Sequence, residues 1–343
     1  MPPSPAGMDL LTTPPPAVDE ALLVDALRVH HAIEARVSAL PGERDRNMLV
    51  RRPDGSRAVL KLFNAAEPPE ARSLARAVLL HLGGRRLPFA VPRLIPARDG
   101  AETFAVGGAE AMLTTFVEGR AWDAAPPAAA LRAAVGGAAA ALSAALGGFG
   151  HPALRRSLPW DLMRLDRMAP VAAAMADRRR GDWLAAFLER FAAEVRPAAA
   201  ALPAGPIHND LNGANVLVDA GAVAGVIDFG DLLHGPRVAE LAVACTYGLG
   251  DADPAEAVAD FAAGWARAEP LAAAEAEILF DLALARLALR VLMYEWRAAR
   301  EEGGHATRHA AGAYLALDRA MALPPRRGRD RVVARLRAPG ASP

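Results

Sequence analysis

Lysine is nearly missing from this sequence: every one of its 39 basic residues is arginine except Lys61. An ammonium kept at one position points to a role that a planar guanidinium fills poorly, such as a compact charge against phosphate oxygens. Cysteine is as scarce. Cys245 stands alone, which excludes an internal disulfide and predicts an inert buried thiol. Net charge is absent too, with 39 basic against 39 acidic residues. No field is available to hold a polyanion, so nucleic acid and anionic membrane are excluded as the main partner and a small solute is expected. The N-terminus has neither the basic start nor the continuous apolar run of a secretory signal, which makes the cytoplasm the expected location. The Ala-rich run from Ala133 to Leu146 is short for a membrane span and contains Gly and Ser, so it reads as a helix packed on helices.

What is present is enough for a large core: 343 residues, 53% of them hydrophobic. Residues 1–17, rich in proline, read as a disordered arm. From 18 to 118 one helix (about 19–36) precedes strand-like segments at 37–40, 47–52, 57–63, 104–106 and 111–116, with a helix inserted at about 70–82. A turn through Pro53, Asp54 and Gly55 joins the second and third strands, and the third carries Lys61. Residues 119–323 are mainly helical, at about 126–148, 160–176, 181–202, 236–249, 254–267, 270–301 and 305–322. One short β-rich insert, Ile207 to Gly230, interrupts them. Residues 324–343, rich in Arg and Pro, read as a flexible tail. The expected class is α+β: a small antiparallel lobe with one helix, and a larger helical lobe.

The insert holds the polar chemistry. Three of the five asparagines fall between His208 and Asn215, in His-Asn-Asp-Leu-Asn-Gly-Ala-Asn. Phosphoryl transfer needs a carboxylate to orient and deprotonate the acceptor hydroxyl, and an amide oxygen five residues later to bind Mg²⁺; Asp210 and Asn215 have that spacing. A second carboxylate must bridge metal and phosphates from the end of the next strand. Asp228, in Ile-Asp-Phe-Gly-Asp, stands there, after a turn at Asp219 to Gly221. With an upstream lysine on an apolar strand, these halves make a specific combination.

These residues resemble the aminoglycoside phosphotransferase-like kinase superfamily, from roughly Leu23 to Leu323. A closer resemblance is to its hydroxylysine kinase branch, which includes kinase domains fused to class III aminotransferases. It rests on Glu43-Arg44-Asp45-Arg46-Asn47, Val59-Leu60-Lys61, Trp160-Asp161-Leu162, and Pro236-Arg237-Val238 with Glu240-Leu241-Ala242. The resemblance implies the two-lobed protein-kinase-like fold and a Mg²⁺-dependent kinase using ATP or GTP. The acceptor would be the hydroxyl of an amino-alcohol or hydroxy-amino acid such as 5-hydroxylysine; aminoglycoside, homoserine or choline kinases and a nucleotide-binding pseudokinase are the alternatives.

By the same resemblance, Lys61 binds phosphates beneath the amides of residues 43–47, with Arg46 and Asn47 as contacts. The nucleotide base lies along Leu113 to Val117, at Thr115 and Phe116. The acid that positions the lysine falls near Ser73, where Glu70, one turn earlier, is the candidate replacement. Glu240 stands where relatives usually carry Asp. His208 braces the loop. Asp231, Glu240, Arg286 and Arg290 are candidates for the acceptor, the two arginines for a carboxylate, with a structural salt bridge from these arginines to Glu240 or Asp161 as the competing role. Trp160, Tyr247, Tyr294 and Trp296 are core or pocket wall.

Overall fold

The computed structural model describes residues 9–42, 44–300, 305–324 and 326–338. Glu43, residues 1–8 of the expected arm and 339–343 of the expected tail lie outside them.

Helix α1 (Glu20–His31) starts at Asp19, whose side chain caps Ala21 N–H. Strands β1 (Arg36–Leu40), β2 (Arg46–Arg51), β3 (Arg57–Leu62), β4 (Phe104–Val106) and β5 (Ala109–Thr115) form one antiparallel sheet in the order β1-β2-β3-β5-β4. At the β2–β3 turn, Gly55 takes φ +84° and closes a hydrogen bond to Arg52 O. Alternation along β3 decides which residue faces where. Ala58, Leu60 and Leu62 are buried in a small core with Leu23, Leu27, Met48, Val50 and Leu113. Val59 and Lys61 therefore point from the opposite face, the side on which helix α2 (Pro69–Gly83) and the larger core lie.

The remainder is mostly helical: α3 (Ala129–Leu146), α4 (Arg178–Arg190), α5 (Arg237–Cys245), α6 (Pro254–Ala266), α7 (Ala273–Ala298), α8 (His305–Met321) and α9 (Arg327–Arg337) are its main helices. Helix α3 is long and apolar enough to cross a membrane, so the expectation that this run is too short is corrected. In the fold it lies against α6 with almost no space between backbones: a Cβ on Gly136 would sit 2.0 Å from Phe261 O, and one on Gly264 1.9 Å from Ala133 O. The expected helix at 160–176 is broken instead into tight turns, Leu162–Met168, and a short helix, Ala169–Ala174, that begins at Pro170. Strands β6 (Arg120–Ala121), β8 (Val216–Asp219) and β9 (Ala222–Val226) make a three-stranded sheet, and β7 (Ala204–Ile207) pairs with β10 (Leu233–Pro236). A small antiparallel sheet with its helix, joined to a larger helical body, is the two-lobed protein-kinase-like fold.

Both termini differ from expectation over the described residues. Leu10 and Leu11 pack on the larger core, and buried Asn64 donates Nδ2 to Thr13 O at 3.0 Å, so residues 9–17 are not a free arm. The tail forms α9, whose Val332 is fully buried while Arg335 Nη1 reaches Asp260 Oδ1 at 3.1 Å. Its arginine content masked an amphipathic pattern, Val332, Val333 and Leu336, that the core takes up.

Candidate active site

The loop from His208 to Asn215 is a self-braced turn. Asn212 Oδ1 accepts from Ala214 N–H (2.8 Å) and Asn215 N–H (2.9 Å), an arrangement asparagine makes readily. His208 is fully buried, and burial pulls its imidazole pKa down, favouring the neutral ring. Nε2 lies 3.0 Å from Ile227 O, and Nδ1 accepts from Asp210 N–H at 3.2 Å. Both ring nitrogens are thus engaged with backbone in bracing the loop. Asn209 stands at φ +66° and Asp228 at φ +61°, a left-handed conformation that Asn and Asp tolerate better than other side chains.

Three donors converge on Asp210. Asn212 Nδ2 (2.9 Å) and Asn215 Nδ2 (2.8 Å) reach Oδ2, and Arg286 Nη2 reaches Oδ1 at 2.8 Å. Burial pushes the Asp210 carboxyl up to about 7 against the downward pull of Arg286. Arg286 itself is buried, donates Nη1 to Trp160 O at 2.8 Å and lies over the Trp160 ring. It is paired with neither Glu240 nor Asp161 and is not open to a solute, which corrects both roles expected for it.

Lys61 Nζ lies 2.9 Å from Asp45 Oδ2 and 3.4 Å from Asp228 Oδ1. Burial opposes its charge, but Asp228 and Asp45 outweigh burial and raise the ammonium pKa. Reciprocally, Lys61 holds the Asp228 carboxyl down to about 2. Asp228 remains 44% exposed to the cleft. Glu70 is exposed and makes no ion pair with Lys61, and Ser73 Oγ lies 3.4 Å from His151 Nε2. The carboxylate beside the lysine is therefore Asp45 of the β1–β2 loop, not Glu70, because the loop folds back over β3 while Glu70 at the start of α2 faces solvent. Asp45 is fixed in turn by Asn64 N–H at 2.8 Å.

The side chains of several other expected site residues are engaged with protein partners. Arg46 donates to Val18 O, away from Lys61. Asn47, the cross-strand neighbour of Lys61, closes its own turn with a 3.5 Å bond to Pro41 O. Thr115 N–H donates to Arg93 O and its Oγ1 accepts from Arg93 N–H at 3.0 Å, while the Phe116 ring carries the Arg57 guanidinium at 4.2 Å. Asp231 is buried and paired with Arg44 at 2.6 Å. Glu240 is fully buried beneath the loop, with Oε2 accepting from Asn209 N–H at 3.3 Å and Oε1 without a partner among the described residues. Burial pushes its carboxyl up to about 8. Neither acid faces an open acceptor pocket.

Arg290 forms no ion pair among the described residues. It lies over the Tyr247 ring at 4.4 Å and has no carboxylate within salt-bridge distance among the described residues. Trp296 is core, and Cys245 is a fully buried thiol whose pKa burial raises.

As a cation site, Asn215 and Asp228 offer oxygen only. Asn215 turns Nδ2 to Asp210 and leaves Oδ1 without a hydrogen bond among the described residues, and Asp228 Oδ2 is likewise unengaged there. No group of three or more His, Cys, Asp or Glu that could hold a metal by itself occurs among those residues. Two protein oxygens, with phosphate and water to complete the shell, suit Mg²⁺.

Fold and cleft are kinase-like. The chain belongs to the phosphotransferase enzyme family, which matches residues 36–278. It is 28% identical to hydroxylysine kinase of Mus musculus over 173 residues, 46% of each chain. It is 37% identical to homoserine kinase of Gluconacetobacter diazotrophicus over 221 residues, 60% of this chain and 64% of that one. The matches thus span less than two thirds of these curated relatives. Among solved structures it shares its fold with a microcompartment-associated aminopropanol kinase (TM-score 0.65, 20% identity, 92% and 99% of the two chains). An amicoumacin kinase in complex with AMP-PNP and Ca²⁺ is similar as well (TM-score 0.63, 16% identity, 88% and 93%).

Proposed function

We propose that this protein transfers the γ-phosphoryl group of ATP or GTP to the hydroxyl of a small hydroxy-amino acid or amino-alcohol, of the 5-hydroxylysine or homoserine kind. The observation that carries the reading is the Asp210 carboxylate, oriented by Arg286, Asn212 and Asn215 at 2.8–2.9 Å beside a Lys61–Asp228 pair.

In this reading, the acceptor oxygen bonds to the γ-phosphorus as the bond from that phosphorus to the β–γ bridging oxygen breaks. The hydroxyl proton passes to Asp210, and the nucleoside diphosphate leaves with the bridging oxygen. Lys61 meets the nearer phosphates, held in place by Asp45. Asn215 Oδ1 and Asp228 would hold Mg²⁺, which when bound neutralises charge on the phosphate chain. The nucleotide base would lie along the connection after β5, near Thr115 and Phe116, where backbone groups rather than side chains meet it.

Arg290, which has no carboxylate within salt-bridge distance among the described residues, is assigned to the acceptor's carboxylate. This favours hydroxy-amino acids over aminoglycosides, which have no carboxylate and call for acidic walls. The names of the curated relatives, hydroxylysine kinase and homoserine kinase, point the same way. A cytoplasmic location is part of the same proposal.

The test is nucleoside diphosphate release from ATP and GTP, with Mg²⁺, across 5-hydroxylysine, homoserine, choline, ethanolamine and aminoglycosides. Turnover confined to the amino acids and amino-alcohols supports the reading, and turnover with the amino acids alone supports the role of Arg290. Turnover with aminoglycosides alone reassigns the acceptor, and nucleotide binding with no turnover on any of them favours a binding module.

A further inference from the structure

We propose that Arg44 is a phosphate-binding residue that grips the terminal, transferring phosphoryl group from the loop above it; this rests on the kinase reading given above. Arg44 lies between β1 and β2, and its side chain is only 10% exposed. Nη2 donates to Asp231 Oδ1 at 2.6 Å, joining the loop to the turn that follows Asp228. Nη1 is buried and has no partner among the described residues. A buried guanidinium nitrogen without an acceptor is destabilising unless a ligand supplies one. Burial opposes the charge of Arg44, but the surrounding carboxylates Asp231, Glu67, Asp228 and Asp45 more than offset it.

The convergence is local. A methyl group set on Gly230 would lie 3.1 Å from Asp228 Oδ1, 3.3 Å from Arg44 Nη2 and 3.7 Å from Lys61 Nζ. Two cations and a carboxylate thus meet over a residue with no side chain to keep a phosphate out. Lys61 sits back on the sheet between Asp45 and Asp228, whereas Arg44 stands further along the metal turn, beside Asp231. Lys61 therefore takes the inner phosphates and Arg44 the outermost one. The planar fork of a guanidinium matches phosphoryl oxygens and stabilises the charge that spreads over them during transfer, as an arginine supplied within the same chain does in other phosphoryl-transfer enzymes.

The experiment uses the full chain with Mg²⁺, titrated calorimetrically with diphosphates and non-hydrolysable triphosphate analogues of adenosine and guanosine. Arg44→Met, Arg44→Lys and Asp231→Asn are compared with the unaltered protein, and thermal midpoints are recorded. Arg44→Met is expected to lose at least about tenfold in triphosphate affinity while diphosphate affinity stays within about twofold. Arg44→Lys, which keeps the charge without the fork, is expected to fall between. Asp231→Asn breaks the same ion pair from the other side and is expected to retain the triphosphate preference.

Equal losses for both nucleotides in Arg44→Met, or an Asp231→Asn variant that behaves like it, would make the pair a structural latch and overturn the proposal. If Arg44→Met does not fold, an undiminished triphosphate preference in Arg44→Lys overturns it. Failure of the unaltered protein to bind either nucleotide removes the kinase reading and this inference together, an outcome distinct from the rest.

Discussion

Arg286 and Asp210, 76 positions apart in the chain, form an ion pair of 2.8 Å in which the second guanidinium arm is held by Trp160 O. A carboxylate proposed as a base is thus fixed by a buried cation delivered from the middle of α7. Burial and Arg286 act on it in opposite directions, burial upward and Arg286 downward.

Removing the cation gives a prediction with a sign. A base must be unprotonated to work, so its activity falls as pH drops through its pKa. Arg286→Met removes the largest pull against burial, moves the Asp210 carboxyl above its present value of about 7, and shifts the acid limb of kcat/KM upward. Turnover at pH 7 should fall about 10- to 10²-fold, with the deficit shrinking towards pH 9. A deficit that is the same at every pH would mean that Arg286 acts through packing alone.

Asp45, not Glu70, is the partner of Lys61. Asp45→Asn should raise KM for the Mg²⁺-nucleotide about tenfold or more, with a smaller change in kcat, because it loosens the cation that meets the phosphates. Glu70→Ala should leave both parameters where they are. The opposite ranking in steady-state kinetics would restore the helix acid.

Glu240 carries a stability prediction. Its folded-state pKa, about 8, lies above the ordinary value of 4.5. Between those values the unfolded chain releases the proton that the folded chain keeps, so this group's stabilisation is lost as pH rises through the window. Thermal midpoints of Glu240→Gln relative to the unaltered protein should therefore increase from pH 5 to pH 8. A difference that is flat across this range would show that the buried carboxyl is not held protonated.

What the sequence revealed follows the range of the interactions. Asp210, Asn212 and Asn215 lie within six positions, so their meeting is legible from spacing alone. The hairpin turn at Pro53 to Gly55 and the alternation that puts Lys61 opposite Leu60 and Leu62 are equally local. Asp45 was visible within a loop motif, but nothing nearby says that it reaches a lysine one strand further on. Arg44 and Asp231 are 187 positions apart, and only the closing of the two lobes brings them together. Glu240 and Arg286 looked like polar punctuation on apolar helices, a pattern that fits a pocket as well as a buried brace; burial decided for the brace. The α9 tail was hidden by composition, since two of its arginines, Arg331 and Arg335, pair with Glu256 and Asp260 on α6.

The most direct test of phosphoryl transfer through Asp210 follows a labelled γ-phosphoryl group from ATP or GTP to 5-hydroxylysine and homoserine, in the unaltered protein and in Asp210→Asn. A labelled phosphoester is expected with the unaltered protein, and a loss of at least about 10²-fold in the variant with Mg²⁺-nucleotide affinity nearly unchanged. Full activity in Asp210→Asn, or no phosphoester from an unaltered protein that binds Mg²⁺-nucleotide, would contradict it.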